Sequence, residues 1–312
     1  MSKQEFSNVI NSIINQNVSY GLKVFACVKE KNSDEIKVQN FNMLDPLQDN
    51  IKNFIVDVIE QQYLAEDIEF DEITNIVDNR KIVYELKQDD EYRPFAFLNN
   101  INLIEEYFSN DDTDKLIGFI FKLNLNSDNI FVYQQAYSGT RIKNKNVLHV
   151  VKMGTDKFNI FDKELLRIDK RAEIIILNDV LYVKNINILQ EKFKFQRYVR
   201  GEAKKVLDKI NELNIVTNID KIKACESEEK LTNSKKIMKL KNSPVLTINK
   251  EDLINRLSTI ERYKNIIKIV DGKIKTDTKK DVGKVLKILN DDYLKSELTE
   301  VDYDSSIKKQ VS

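Results

Sequence analysis

The hydrophobic pattern of this chain changes period near Lys184, and that change limits what it can fold into. Before it, apolar residues alternate with others in short runs. Leu22, Val24, Ala26 and Val28 alternate with Lys23, Phe25 and Cys27, the signature of a strand with at least one buried face. Beyond Lys184 the period lengthens to that of a helix. From Glu202 to Leu213, Ala203, Val206, Leu207, Ile210 and Leu213 fall on one face, with Lys204, Lys205 and Lys209 turned away from it. The expectation is an α/β protein of the α+β type. A mixed, mostly antiparallel sheet with a long helix forms the N-terminal part, and the C-terminal part is mainly helical. The boundary falls after residue 185, giving parts 1–185 and 186–312, with one continuous domain as the alternative.

Local signals fill in the outline. Ile36-Lys37-Val38 follows a turn-like Lys31-Asn32-Ser33-Asp34 as the partner of the first strand. Asp45-Pro46 then reads as N-cap and first helical residue, ahead of a stripe of Ile51, Phe54, Ile55, Val58 and Ile59. Strands are expected at 81–86, at 116–123 and at 130–133, the last two around the turn Asn126-Ser127-Asp128-Asn129. Four more, at 158–161, 165–168, 173–177 and 180–183, read as a meander closed by Asn178-Asp179, two residues that tolerate positive φ. Glu69 to Glu72 reads as an acidic loop. After the 202–213 helix come helices at 233–240 and 249–257, the latter capped by Asn249. A hairpin around Asp271-Gly272 follows, then a last helix from Asp277 or Thr278.

Composition narrows the chemistry. Of 312 residues, 7 are Gly and 3 are Pro, and no glycine-rich phosphate loop of the dinucleotide or P-loop type occurs. Cys27 and Cys225 lie far apart with no ligand partner at metal spacing, which argues against a zinc site, and no cofactor is expected. No leader pattern opens the chain and no apolar run reaches spanning length. The expected location is the cytoplasm, with any membrane contact made through a partner. Net charge is zero but segregated. Residues 33–115 carry 21 acidic against 7 basic side chains, whereas residues 184–250 carry 16 basic against 8 acidic. Such asymmetry points to a polyanion-binding region.

The basic region holds the candidate site. Lys192, Lys194, Arg197, Arg200, Lys204 and Lys205 surround Phe193, Phe195 and Tyr198, and a second group is Lys235, Lys236, Lys239 and Lys241. Cations release counterions from phosphates, and aromatic faces stack on unpaired bases. The plainer reading puts Phe193 and Phe195 in the core and leaves the lysines as a solvated helix face. A third basic run, Arg141 to Asn146, reads as a polar loop. Glu85-Leu86-Lys87, preceded by Asp71 and Asp78, has the shape of a metal-nuclease motif. Three-residue patterns of this kind arise by chance in so charged a chain. His149, the single histidine, lies in an apolar run and reads as a core residue.

The C-terminal stretch Val285-Leu286-Lys287-Ile288-Leu289-Asn290-Asp291-Asp292-Tyr293-Leu294 closes the pattern. Val282, Leu286, Leu289 and Tyr293 share a helical face. Asp291 and Asp292 sit where the helix should end, a place where negative charge opposes the helix dipole. The expectation is that one of them caps a short turn over 293–298. A cation site is the alternative, but adjacent helical side chains diverge by about 100°.

This signature over 285–299, with Phe161-Asp162-Lys163, Leu181-Tyr182-Val183 and the 203–213 helix, resembles the Kiwa B-component family of bacterial anti-phage defence proteins. The resemblance covers the second half of the chain well and the first half loosely. It implies a defence effector that binds phage DNA, a membrane-embedded A-component partner, and self-association as a homo-oligomer, a dimer being the simplest. The tail departs from the family pattern. Glu300-Val301-Asp302-Tyr303 and Asp304 to Lys309 stand where a Gly and a Tyr-x-Val-Asn-Ser-Lys-Lys run are usual. The expected function is therefore non-enzymatic, sequence-independent DNA binding through the basic helical surface. The alternatives are a metal-dependent nuclease using Glu85 and Lys87, and an interaction protein that binds no DNA.

Overall fold

The computed structural model of the chain describes residues 3–15, 21–74, 81–124, 129–142, 149–153, 157–161, 165–226, 232–295 and 302–304. Contacts group the chain into two compact units, Met1–Ile73 with Val77–Phe193, and Thr74–Ile76 with Lys194–Ser312.

The first unit is built on β1 (Leu22–Val28), β2 (Lys37–Asn40), β3 (Glu69–Glu72), β4 (Ile82–Lys87), β5 (Leu116–Asn124), β6 (Asn129–Gln135), β7 (Arg141–Ile142), β8 (His149–Met153), β9 (Lys157–Phe161), β10 (Leu165–Leu166), β11 (Ile174–Leu177) and β12 (Val180–Val183). Eight of these make one sheet in the order β2-β1-β5-β6-β11-β12-β4-β3. Every neighbouring pair is antiparallel except β3 with β4, which is parallel. The fold class is thus the expected one, a mixed and mostly antiparallel sheet followed by helices.

Two strand readings change. Glu69 to Glu72 is not a loop but the edge strand β3, in register with Ile82 to Glu85. The four strands from 158 onward are not a meander. β9 pairs back with β8, and β10 pairs with β7, each as a separate two-stranded ladder. Only β11 and β12 form a hairpin, with Asn178 at φ 50° and Asp179 at φ 61° in its turn, the left-handed pair that a two-residue hairpin requires. Alternation shows which strands are amphipathic but not which of them pair. Of the expected turn at 126–129, Asn129 opens β6, and of the expected loop at 141–146, Arg141 and Ile142 form β7; the rest of both, and the Asp162-Lys163 pair, lie outside the described residues.

Both faces of the sheet are covered. On one, Val24, Ala26, Phe119, Phe121, Val132, Ile175 and Tyr182 form a core with α1 (Lys3–Asn15) and α2 (Asp45–Ile59). α2 buries Ile51, Ile55, Val58 and Ile59 and runs on through a wider π turn, Glu60–Leu64, that buries Tyr63. Its N-cap is Leu44 rather than Asp45, with no side-chain cap bond. Asp45 instead places its charge inside the first turn, where the helix dipole favours it. On the other face Phe95 packs on Tyr133 at 5.7 Å and on Phe193 at 4.5 Å between ring centroids, beside a 3₁₀ segment, Ala96–Leu103. α3 (Ile186–Lys192) closes the unit, capped by the Asn185 side chain.

The second unit contains α4 (Phe195–Leu213), α5 (Ile219–Glu226), α6 (Thr232–Lys239), α7 (Lys250–Thr259), α8 (Glu261–Ile266) and α9 (Lys279–Leu289), with hairpin strands β13 (Ile269–Val270) and β14 (Lys273–Ile274). Its core joins Ile210, Ile222, Ile237, Leu253, Val285 and Leu289. Asn249 caps α7 as expected, accepting from the Asp252 amide at 2.8 Å. Thr278 and Asp281 form a reciprocal capping box at the start of α9. The Asp271-Gly272 turn has φ 50° and 66°. The expected 202–213 helix begins earlier, at Phe195, because Phe195 and Val199 extend the buried stripe by two turns.

The adjacent carboxylates do not cap a following turn. α9 ends in a Schellman arrangement: the Asp291 amide donates to Ile288 O and the Asp292 amide to Lys287 O, both at 2.8 Å. Asp291 takes the left-handed position at φ 55°, and Asp292 is buried and accepts from Asn290 Nδ2 at 2.5 Å. Beyond them β15 (Tyr293–Lys295) pairs with β16 (Asp302–Asp304), so part of the expected 293–298 turn is strand.

Two glycines test this packing. A Cβ at Gly118 in β5 would stand 2.6 Å from Gln134 O and 2.7 Å from the Tyr133 ring. Gly118→Ala should cost about 1–3 kcal/mol, read as a lower denaturant midpoint. Gly283→Ala on α9, where a Cβ meets nothing within 4 Å, should stabilise by up to about 1 kcal/mol.

Glu173 gives a test that depends on pH. It is buried, accepts from the Gln135 amide at 2.9 Å and lies 3.0 Å from Arg171 Nε. Burial outweighs both partners and pushes its carboxyl from 4.5 up to about 7. The folded state therefore holds a proton that the unfolded state has released between these values, so stability falls as pH rises through that window. Glu173→Gln should remove this slope, so its stability relative to wild type should rise between pH 5 and pH 8. Equal stability of the two proteins at pH 5 and pH 8 would refute it.

Candidate nucleic-acid interface

The ten basic residues singled out above are spread over α3, α4 with its N-cap, α6 and the 3₁₀ turn Leu240–Asn242. Lys192 ends α3 in the first unit, half-buried. The other nine belong to the second unit. Lys194 is the N-cap of α4 at φ 52°. Arg197, Arg200 and Lys204 follow at i, i+3 and i+7 along that helix, with Arg197 and Lys204 exposed and Arg200 half-buried. Phe193 and Phe195 are both buried, so they present no face to bases; they are core residues, the plainer of the two readings. Tyr198 stacks on Phe195 at 5.5 Å with the rings 19° apart.

Lys205 and Lys241 converge on one acid. Glu202 is 4% exposed, and its carboxylate takes Lys205 Nζ at 2.9 Å and Lys241 Nζ at 2.5 Å. Burial works to raise its pKa, but the hydrogen bonds from Lys241 and Lys205 prevail and hold the carboxyl below its usual value. The triad carries one net positive charge instead of two. Lys235 is half-buried, and desolvation lowers its pKa.

The remaining two, Lys236 and Lys239, meet partners that the sequence pattern did not single out. α6 and α9 flank a groove of about 550 Å³. Lys236 and Lys239 line one side, and Lys280, Lys284 and Lys287 of α9 line the other. Leu286, Gly283 and Tyr293 add less polar lining, and Asp292 is the one carboxylate among the described lining residues. Five lysines lining one concavity bias it toward anions. The α9 lysines were legible as a stripe, since 280, 284 and 287 stand at i, i+4 and i+7. Glu202 had a signal as well, a charge one turn beyond Val199 on the apolar side of α4.

The nuclease-like residues have a different setting. Glu85 and Lys87 stand two apart on β4, and Glu85 is in register with Glu72 of β3. Burial raises the Glu85 carboxyl pKa, and the Glu72 charge adds to the rise. Asp78 lies outside the described residues. Among those described, no group of three or more His, Cys, Asp or Glu is placed to hold a metal ion. The side chains of His149 and Arg141 are likewise not described. No described helix is long and apolar enough to cross a membrane.

Residues 113–299 match the model of the Kiwa protein KwaB-like family. The chain belongs to that family. The matched span takes in β5, β6, β11 and β12 of the sheet together with α3 to α9, so it holds the whole of the lysine groove. A relative, Kiwa protein KwaB of Escherichia coli O55:H7 (strain RM12579 / EPEC), is 26% identical over 183 residues, which are 54% of this chain and 58% of that one. The chain thus matches somewhat more than half of the relative's length. No solved structure matches it.

The Glu202 triad makes a testable demand. Its folded pKa lies below the ordinary 4.5, so the stability it contributes is present above that pH and is lost as pH falls through the folded value. Glu202→Gln should cost about 1–3 kcal/mol at pH 7, with the gap to wild type closing in acid. A gap of the same size at pH 3 would contradict the ion-triad account.

Proposed function

We propose that this chain is a Kiwa-type anti-phage component that binds DNA without cutting it, gripping the phosphate backbone in the lysine groove between α6 and α9. The observation that carries the reading is the convergence of Lys236, Lys239, Lys280, Lys284 and Lys287 on one concavity. Binding of phosphate by lysine is sequence-independent and releases counterions, which suits a protein that must engage invading DNA of any sequence. Arg197, Arg200 and Lys204 on α4 extend the positive field. Family membership supports the defence role, and with it a membrane-embedded A-component partner and a homo-oligomeric state. Bound protein then obstructs polymerases on the phage genome.

Charge reversal tests the groove. Lys236→Glu with Lys284→Glu and Lys287→Glu should weaken duplex binding at low salt by more than about tenfold. The slope of log affinity against log salt should flatten by about 0.9 for each phosphate that is no longer neutralised. The matching reversal of Arg197, Arg200 and Lys204 should have the smaller effect. Full affinity in the groove variant would move the interface elsewhere. Incubation of the wild type with plasmid and Mg²⁺ or Mn²⁺ should leave the DNA intact; cutting abolished by Glu85→Ala would replace this reading with the nuclease.

A further inference from the structure

A lysine lies in the middle of the sheet where the pattern calls for an apolar residue. Lys122 of β5 sits between Phe121 and Leu123, both buried, and is itself 4% exposed. Its ammonium donates to Asn102 Oδ1 at 2.7 Å and stands 5.9 Å from the centroid of the Phe131 ring. Both partners are neutral. Among the described residues no carboxylate reaches ion-pair distance of Lys122, in contrast to the paired Lys205 and Lys241. Burying a cation without a counter-charge costs several kcal/mol, and desolvation accordingly lowers the Lys122 pKa, with Lys23 on β1 adding to the effect.

The ammonium borders a cavity of about 240 Å³ on the sheet face opposite α1 and α2, within the first unit. Asn99, Asn102 and Asn129 bring amide groups to its wall, and Phe131 brings a ring. Arg93, also at the wall, is already matched to Asp179 at 3.3 Å. Among the described lining residues, the charge that Lys122 contributes is therefore the one left to be balanced. We infer that this cavity is a binding site for a small oxyanion, a phosphate or carboxylate group seated against the Lys122 ammonium, with the asparagine amides taking its neighbouring polar substituents.

Size limits the ligand. The volume equals that of about eight waters and falls below the ~300–1,000 Å³ of sites for drug-sized molecules. It suits a phosphate or a short carboxylic acid and excludes a stretch of nucleic acid. The site is separate from the lysine groove and does not depend on the DNA-binding reading.

Titration of the full chain with inorganic phosphate and with acetate, each against chloride at constant ionic strength, tests the inference and distinguishes the two oxyanions. At least one should bind saturably by calorimetry and raise the melting temperature beyond the chloride control. Lys122→Met should lose at least tenfold in affinity. Asn102→Asp places a carboxylate where the amide oxygen now accepts from the ammonium. It should fold with an equal or higher melting temperature and also lose at least tenfold. No binding of either oxyanion to the wild type beyond chloride would overturn the proposal, and so would unchanged affinity in the folded Asn102→Asp variant.

Discussion

The first unit depends on one ladder, the pairing of β6 with β11. Ile174 to Leu177 are all buried and lie in register with Tyr133 to Ile130 on one side and with Val183 to Val180 on the other. β11 is thus the strand that joins the β2-β1-β5-β6 half of the sheet to the β12-β4-β3 half. Its amide and carbonyl groups sit where water does not reach, so each must find a backbone partner or leave an unsatisfied polar group at a cost of about 1–3 kcal/mol. The four residues supply isoleucine and leucine to both faces, Ile175 and Leu177 to the α2 side and Ile174 and Ile176 to the other. A polar residue at Ile175 or Leu177 would face the core shared with α2.

Around that ladder the chain uses buried charge sparingly and differently in its two units. Glu202 in the second unit is buried with two lysines and stays ionised, because the partners more than offset desolvation. Glu173 in the first unit has an arginine and a backbone amide beside it and still titrates near neutrality, because burial dominates. Lys122 has an amide and a ring face. These three side chains rank the local balance between desolvation and pairing. In each the outcome follows from the number of opposite charges within reach rather than from burial alone. The first leaves a net cation near the basic helices, and the last stands beside a cavity with no carboxylate at ion-pair distance among the described residues.

Much of the fold was legible because it is local. The Asn178-Asp179 and Asp271-Gly272 turns, the Asn249 cap and the apolar stripes of α2 and α9 each involve residues within one or two turns of each other. The Asp291-Asp292 pair shows where local reading stops. Its charge opposed the helix dipole, and the compensation is a left-handed residue with amide bonds folding back onto α9, a backbone geometry that side-chain identity suggests only when a glycine marks it. The aromatic residues near α4 show the same limit. Interleaving with lysine fits a stacking surface and a core equally well, and packing of Phe95 against Phe193 settles the matter for the latter.

The sequence by itself determined the classes of element, the switch from strand to helix period near Lys184, the main turns and caps, and the segregation of charge. It also carried the family signature, since that signature is a continuous string. Only the tertiary structure decided which strands pair, because an amphipathic strand has two edges and its alternation is the same for either neighbour. The parallel β3–β4 edge and the separate β8–β9 ladder are of this kind. Tertiary structure also decided which cations share a site. Lys236 and Lys284 are far apart in the chain and line one groove, whereas Lys205 and Lys241 are drawn to a buried acid. The physical reason is that charge acts through space and helical packing sets the distances, while a sequence lists only neighbours along the backbone.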